Sequence, residues 1–222
     1  MSHPSNQSPD AATATAASDR TPAARTTGAV LRDYLELMKP EISSVVTMSA
    51  FAGFLVGSPR GLAAGPLLWT MLGVALCAGG VGVLNHVLER RFDAQMKRTA
   101  SRPLPAGRLD ADRARTTGIL MVCAAVAILC PLVNALTAVI AALTAVLYLA
   151  VYTPLKRVTK WNTLIGTVPG ALPALGGYTA ATGQLGAGGW AVFGVLACWQ
   201  MPHFLALAWM YRKDYARGDY AM

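Results

Sequence analysis

The stretch Asn85-His86-Val87-Leu88-Glu89-Arg90-Arg91-Phe92-Asp93 closes a long apolar run and opens a basic tract. Residues four and eight apart on a helix share one face over about two turns, so Asn85, Glu89 and Asp93 form a line of oxygen donors. The tract behind them carries Lys97, Arg98, Arg102, Arg108, Arg113 and Arg115. Carboxylates beside such a cationic cluster suit a magnesium-bridged polyphosphate. Magnesium keeps several waters and is held by one or two carboxylates plus substrate phosphates, while arginine and lysine take the outer phosphate oxygens. The sequence has no Walker-type glycine loop, so metal and side chains would have to cradle the phosphate. By spacing alone the same residues also read as a solvated helix end with i,i+4 ion pairing; the basic context is what favours the phosphate reading.

Two further polar clusters stand out. Lys156, Arg157 and Lys160 lie in "YTPLKRVTKWN", where they read either as topology determinants or as a second clamp on an anion. The chain ends on "CWQMPHFLALAWMYRKDYARGDYAM", in which His203 lies inside an apolar segment next to Pro202. An intramembrane histidine is a functional candidate, with a hydrogen-bonded packing role as the alternative. Asp214, with Arg212 and Lys213, is expected on the same side as the Asn85–Asp93 row, so that two acid-bearing loops could hold a diphosphate between them.

The elements that must position these residues are membrane spans. The chain of 222 residues is 54% hydrophobic and only 14% charged, with a mean hydropathy of +0.43. Its apolar residues fall in blocks rather than amphipathic stripes. Six segments are predicted to span, at roughly 42–57, 66–84, 117–133, 135–152, 163–181 and 190–209. Interior glycines and prolines, as in "TVPGALPALGG", are tolerated where neighbouring helices satisfy the freed backbone groups.

Lysine and arginine in the alternate connections number 18 against one in the others. The asymmetry puts the N-terminus, the second and fourth loops and the tail in the cytoplasm, and it makes nucleic acid an unneeded explanation for the net charge of +8. Cys77, Cys123, Cys130 and Cys198 fall inside apolar blocks with no metal-ligand spacing, and read as small core residues. Residues 1–30, rich in Ala, Thr, Ser and Pro without an apolar core, read as a disordered leader ahead of a single domain over 31–222. A bacterial inner membrane is the expected location; a mitochondrial transit peptide is the alternative, opposed by Asp10 and Asp19.

At this point "NHVLERRFDAQMKRTASRPLPAGRL", "YTPLKRVTKWNTLIGTVPGALPALGGYTAATG" and "WQMPHFLALAWMYRKDYARGD" together resemble the UbiA superfamily of intramembrane prenyltransferases. "MKRTASRPLP" and "PHFLALAWMYRKDYARG" resemble its heme-farnesylating branch in particular, and the resemblance runs from about Tyr34 to the last residue. It implies an all-α transmembrane bundle whose polar loops cap a cavity open to lipid. It also implies transfer of the farnesyl group of farnesyl diphosphate to a vinyl group of heme B, with water added, giving heme O and diphosphate. Asn85, Glu89 and Asp93 fall on the family's first acidic motif and are its implied catalytic and magnesium-binding residues, with Asp214 as a further metal ligand. Lys97, Arg98, Arg102, Lys156, Asn162 and Lys213 would hold the diphosphate, and His203 would orient heme, which is a substrate. The implied partners are the two substrates, the lipid bilayer and a heme A synthase to receive the product. Family members run through about nine spans, so the resemblance implies a chain cut short at its C-terminus.

Other readings remain at this stage: a prenyltransferase acting on an aromatic acceptor, a non-catalytic truncated homologue, or a transporter with a path along its broken helices. The transporter reading would place polar groups along the spans, yet apart from His203 the charged residues sit in the connections.

Overall fold

The computed structural model describes residues 26–221, and most of the expected leader lies outside them. Helices are α1 Thr27–Leu37, α2 Pro40–Val56, α3 Ala64–Asp93, α4 Ala111–Leu132, α5 Ala135–Val146, the short α6 Thr153–Leu155, α7 Asn162–Thr182, α8 Ala187–Met210 and α9 Arg212–Arg217. A π-helical segment, Leu147–Tyr152, joins α5 to α6. No strand occurs among the described residues, and the multi-pass, all-α architecture expected from the sequence is what forms.

All six expected spans are helical, but they are not equivalent. Among the described residues, four helical stretches are long and apolar enough to cross a membrane: α3, α4, the run Ala135–Leu155 and α8. α2 is apolar but has only 17 residues. α7 dilutes its apolar residues with glycine, proline and threonine, and 13 of its 21 residues are buried, which makes it the inner helix of the bundle.

The helices close a ring in which α2 packs on α3, α3 on α4, α4 on α5, α5 on α7 and α7 back on α2, with α8 laid outside α7. The α2–α7 seam depends on missing side chains. A Cβ on Gly53 would overlap the Ala174 carbonyl, and one on Gly177 would overlap the Ala50 carbonyl. Without a hydrophobic drive between helices in lipid, this close backbone approach is what provides the packing contact. Apart from Cys77, which is buried, the cysteines face outward, a departure from the expected core placement. In a membrane bundle the lipid-facing surface is apolar too, so an apolar block does not distinguish inside from outside.

The length of α3 sets the height of the polar residues. Its 30 residues span about 45 Å at 1.5 Å per residue, against roughly 30 Å of hydrocarbon. The last turns therefore overhang the apolar layer, and Asn85, Glu89 and Asp93 are on that overhang.

Candidate active site

Each oxygen donor of the α3 row meets one cation, and each cation comes from a different segment. Lys39, in the turn between α1 and α2, donates from Nζ to Asn85 Oδ1 at 2.7 Å. Lys156, just after α6, donates to Glu89 Oε1 at 2.9 Å. Arg102, in the loop after α3, donates from Nη1 to Asp93 Oδ2 at 2.9 Å. Asn85 also donates from Nδ2 to Thr153 Oγ1 at 3.3 Å, tying the row to α6. Asn85 and Asp93 are 1% exposed and Glu89 is 8% exposed, so this is not the solvated helix end that spacing alone allowed. Carboxylates in the last turns of a helix oppose its dipole, so their burial there requires cations supplied by other segments.

Local structure explains how the cations arrive. The α3–α4 loop folds into successive turns pinned by Met96, 2% exposed, and by Thr99, whose hydroxyl donates to the Asp93 carbonyl at 2.8 Å; this aims Arg102 back at α3. Lys39 adopts a left-handed backbone, φ 50° and ψ 64°, immediately before Pro40. That conformation is uncommon for a side-chain-bearing residue and is further disfavoured before proline, which marks a position held for a purpose. Its ammonium is pulled down to about 7, first by burial and then by the nearby charge of Lys156, with Glu89 opposing. Burial works against the Lys156 ammonium too, but Tyr148, Glu89 and Tyr152 together outweigh it and hold its pKa above the usual lysine range. The Tyr152 and Tyr148 rings lie 4.7 and 5.8 Å from Lys156 Nζ. The π-helical segment sets that register, a local irregularity common at functional sites.

Below the row, inside the ring, lies an apolar cavity of about 110 Å³. Lys39 and Tyr148 stand in its wall together with Val46 of α2, Gly82 of α3, Ile140 of α5 and Pro173 of α7. The arrangement is a charged rim over an oily chamber, suited to an amphiphile with an anionic head.

The expected site residues divide into two groups. Asn85, Glu89, Asp93, Arg102 and Lys156 come together. Asn162 lies close by, fully buried, and donates to the carbonyls of Thr159 at 2.6 Å and Ala221 at 2.8 Å. Lys97, Arg98 and Lys213 are exposed, with Arg98 lying 5.0 Å from the centre of the Tyr211 ring. Asp214 does not join the acid row. Its two oxygens accept the backbone N–H groups of Lys97 and Arg98 at 3.1 and 3.2 Å, so it fastens α9 to the α3–α4 loop. His203 is not brought to the cluster either. It is exposed on the outer side of α8 and stacks on Trp199 at 5.0 Å, while α8 packs mainly on α7.

Sequence reasoning overlooked Lys39, counted only as a topology charge, and the tyrosines. Tyr148, Tyr152 and Lys156 are spaced four apart, the same one-face signal that picked out the acids. Tyr220, whose phenol is pushed up by burial and by the Glu89 charge, was overlooked as well.

Residues 46–222 match the UbiA prenyltransferase family. The protoheme IX farnesyltransferase of Salinibacter ruber is 82% identical over 193 residues, covering 87% of this chain and 68% of that protein. The one from Opitutus terrae is 45% identical over 190 residues, covering 86% and 64%. The chain thus spans about two thirds of the length of these relatives. Among solved structures, digeranylgeranylglyceryl phosphate synthase in membranes superposes with a TM-score of 0.72 at 16% identity, over 86% of this chain and 67% of that one. A UbiA homolog from Archaeoglobus fulgidus bound to DMAPP and Mg2+ gives 0.66 at 15% identity, over 84% and 66%. At such identities these neighbours show the fold. The family match over most of the chain, with the close curated relative, establishes that the chain belongs to the UbiA prenyltransferase family, in its protoheme IX farnesyltransferase group.

Proposed function

We propose that this chain binds farnesyl diphosphate and transfers its farnesyl group to a vinyl group of heme B, with water added, to give heme O and diphosphate. The observation that carries the reading is the buried row of Asn85, Glu89 and Asp93, matched one for one by Lys39, Lys156 and Arg102 over an apolar cavity. The names of the curated relatives supply the substrates.

The donor set fits magnesium carried in on a diphosphate. It is made of oxygens only, and among the described residues no group of three His, Cys, Asp or Glu forms a cage that would hold a metal unaided. Glu89 and Asp93 would hold the ion with Asn85 at the inner end of the row. Bound there, magnesium neutralises charge on the departing diphosphate. Lys156 and Arg102, released from the carboxylates, would hold the phosphate oxygens, and Lys39 would do the same from beside Asn85. Exposed Lys97, Arg98 and Lys213 draw the anion to the rim. The cavity wall keeps water from the allylic carbon while its bond to the diphosphate oxygen breaks and the new bond to the vinyl carbon forms.

The setting of the reading is a bacterial inner membrane with the N-terminus cytoplasmic. In support, the turn carrying Lys39, the loop carrying Arg102, the loop carrying Lys156 and the segment carrying Asp214 gather at one end of the bundle. Membranes containing the chain, and in parallel the Salinibacter ruber relative, are supplied with heme B, farnesyl diphosphate and magnesium and analysed by chromatography and mass spectrometry. Heme O that needs all three additions is expected. A chain that neither binds farnesyl diphosphate in a magnesium-dependent way nor makes heme O would sink the assignment.

A further inference from the structure

One side chain beside the acid row has no place in the scheme above. His86 is 2% exposed, and neither ring nitrogen has a hydrogen-bond partner among the described residues. It shares its face of α3 with Glu89 and Asp93, three and seven residues further on. The wall on either side of it is apolar, with Val83 and Val87 packing among Leu37, Met38 and Leu104. An imidazole buried there without partners is a penalty that an aliphatic residue would avoid, so packing does not account for it.

The charges that act on His86 are those of Lys39, Arg102 and Lys156. These are the cations that pair with Asn85, Asp93 and Glu89. They reach α3 from three separate segments and all act on His86, which is buried on the same face as the carboxylates they pair with, and a point within reach of several cations is where an anion binds. A neutral imidazole brings one N–H donor and one acceptor. The surrounding ammonium and guanidinium groups are donors only, so what the ring N–H lacks is an acceptor oxygen.

We infer that His86 is a diphosphate-binding residue whose ring N–H donates to a phosphate oxygen of the bound substrate. The inference rests on the proposed diphosphate site and adds to it a neutral donor, which fixes the orientation of the head group where point charges alone leave it free. The ligand class is a diphosphate monoester, and inorganic pyrophosphate with magnesium serves as the probe.

Binding of magnesium pyrophosphate to the purified chain in detergent is measured by calorimetry for the unsubstituted chain, His86→Leu and His86→Gln. Losing a hydrogen bond to a charged acceptor weakens binding about tenfold. His86→Leu is expected to show that loss, and His86→Gln, which keeps an N–H donor, to recover most of the affinity. Without ligand the nitrogens have no partner to lose, so His86→Leu is expected to unfold at or above the temperature of the unsubstituted chain. A merely structural histidine gives the opposite pattern: a less stable ligand-free protein with unchanged pyrophosphate affinity, which overturns the inference.

A second measurement needs no variant. The chain has three histidines, and with ring-15N label a single imidazole N–H is expected to become protected and shift downfield when magnesium pyrophosphate is added. No such shift, with binding confirmed by calorimetry, rejects the role of His86 and leaves the diphosphate site standing. No binding by the unsubstituted chain removes the site itself.

Discussion

The Glu89–Lys156 pair should behave as a coupled unit whose two halves are unequal. The ion pair is 2.9 Å long with both side chains about nine-tenths buried. Removing one partner of such a pair leaves an uncompensated buried charge, at a cost of about 3–5 kcal/mol. The two single variants do not leave equal remnants. In Glu89→Gln the Lys156 ammonium keeps the Tyr152 and Tyr148 rings at 4.7 and 5.8 Å, each worth roughly 0.5–2 kcal/mol to a desolvated cation. In Lys156→Met the Glu89 carboxylate keeps, among the described residues, the Tyr220 hydrogen bond and the charge of Lys39. Lys156→Met should therefore be the more damaging by about 1 kcal/mol. The double variant removes both charges and should return to within about 1 kcal/mol of the unsubstituted chain. The coupling energy is then at least about 5 kcal/mol. Reversible unfolding in mixed micelles, followed through the five tryptophans, measures all four proteins. Pyrophosphate binding is expected to be lost in every variant, so the double variant separates a folded protein from a working site. Additive single effects, or a Glu89→Gln chain less stable than Lys156→Met, would refute the pairing and the part given to the rings.

Three other outcomes follow from the geometry. Gly177→Val places a side chain on the Ala50 carbonyl in the α2–α7 seam; backbone cannot yield there, so a loss of about 3 kcal/mol or failure to accumulate in membranes is expected, read by unfolding or by yield. Gly166→Ala brings a methyl group onto the Tyr152 ring and should weaken magnesium pyrophosphate binding through a displaced Lys156 while lowering stability by only about 1 kcal/mol; unchanged affinity would show the ring is not positioning Lys156. Asp214→Asn keeps a carbonyl oxygen for one of the Lys97 and Arg98 N–H groups but loses the charge, so faster amide exchange in the α3–α4 loop is expected with the stoichiometry of bound metal unchanged; a lost metal ion would return Asp214 to the ligands.

The sequence made the acid row legible because helical periodicity and burial work along one segment. Asn85, Glu89 and Asp93 need only α3 to share a face. The apolar blocks likewise placed all six helices, since lipid demands long apolar runs wherever they pack. Pairing across segments was not legible. That Asp93 takes Arg102 rather than Lys97 depends on the turns pinned by Met96 and Thr99, and a run of basic residues does not encode which of them turns back. The surroundings of His203 and Asp214 were not legible for the same reason. An apolar helix does not announce which side faces lipid, and a polar loop does not announce which of its groups are used up on backbone. Lys39 had the weakest signal, a lone lysine before proline at the start of a span, and only its left-handed backbone and its bond to Asn85 single it out.

The pairing across segments also bears on how a buried polar site can be stable before substrate arrives and still bind tightly afterwards. Two carboxylates, Glu89 and Asp93, face three cations, Lys39, Lys156 and Arg102, with Asn85 as the neutral partner of the third. The cluster is thus nearly balanced when empty, which a low-dielectric setting requires. A bare diphosphate would have to compete with the carboxylates for the same cations, and a bare magnesium ion would have to displace those cations from the carboxylates. Neither exchange leaves every charge partnered. Magnesium and a diphosphate ester together are a small net anion, and in the proposed site they would satisfy both sides at once: Glu89 and Asp93 would hold the metal, and the released ammonium and guanidinium groups would hold the phosphate oxygens. The one cation in excess, on the side of Lys39, then matches the residual negative charge. On this logic the proposed site would select metal and diphosphate jointly, so magnesium and pyrophosphate should each raise the other's affinity, by the same factor in the unsubstituted chain.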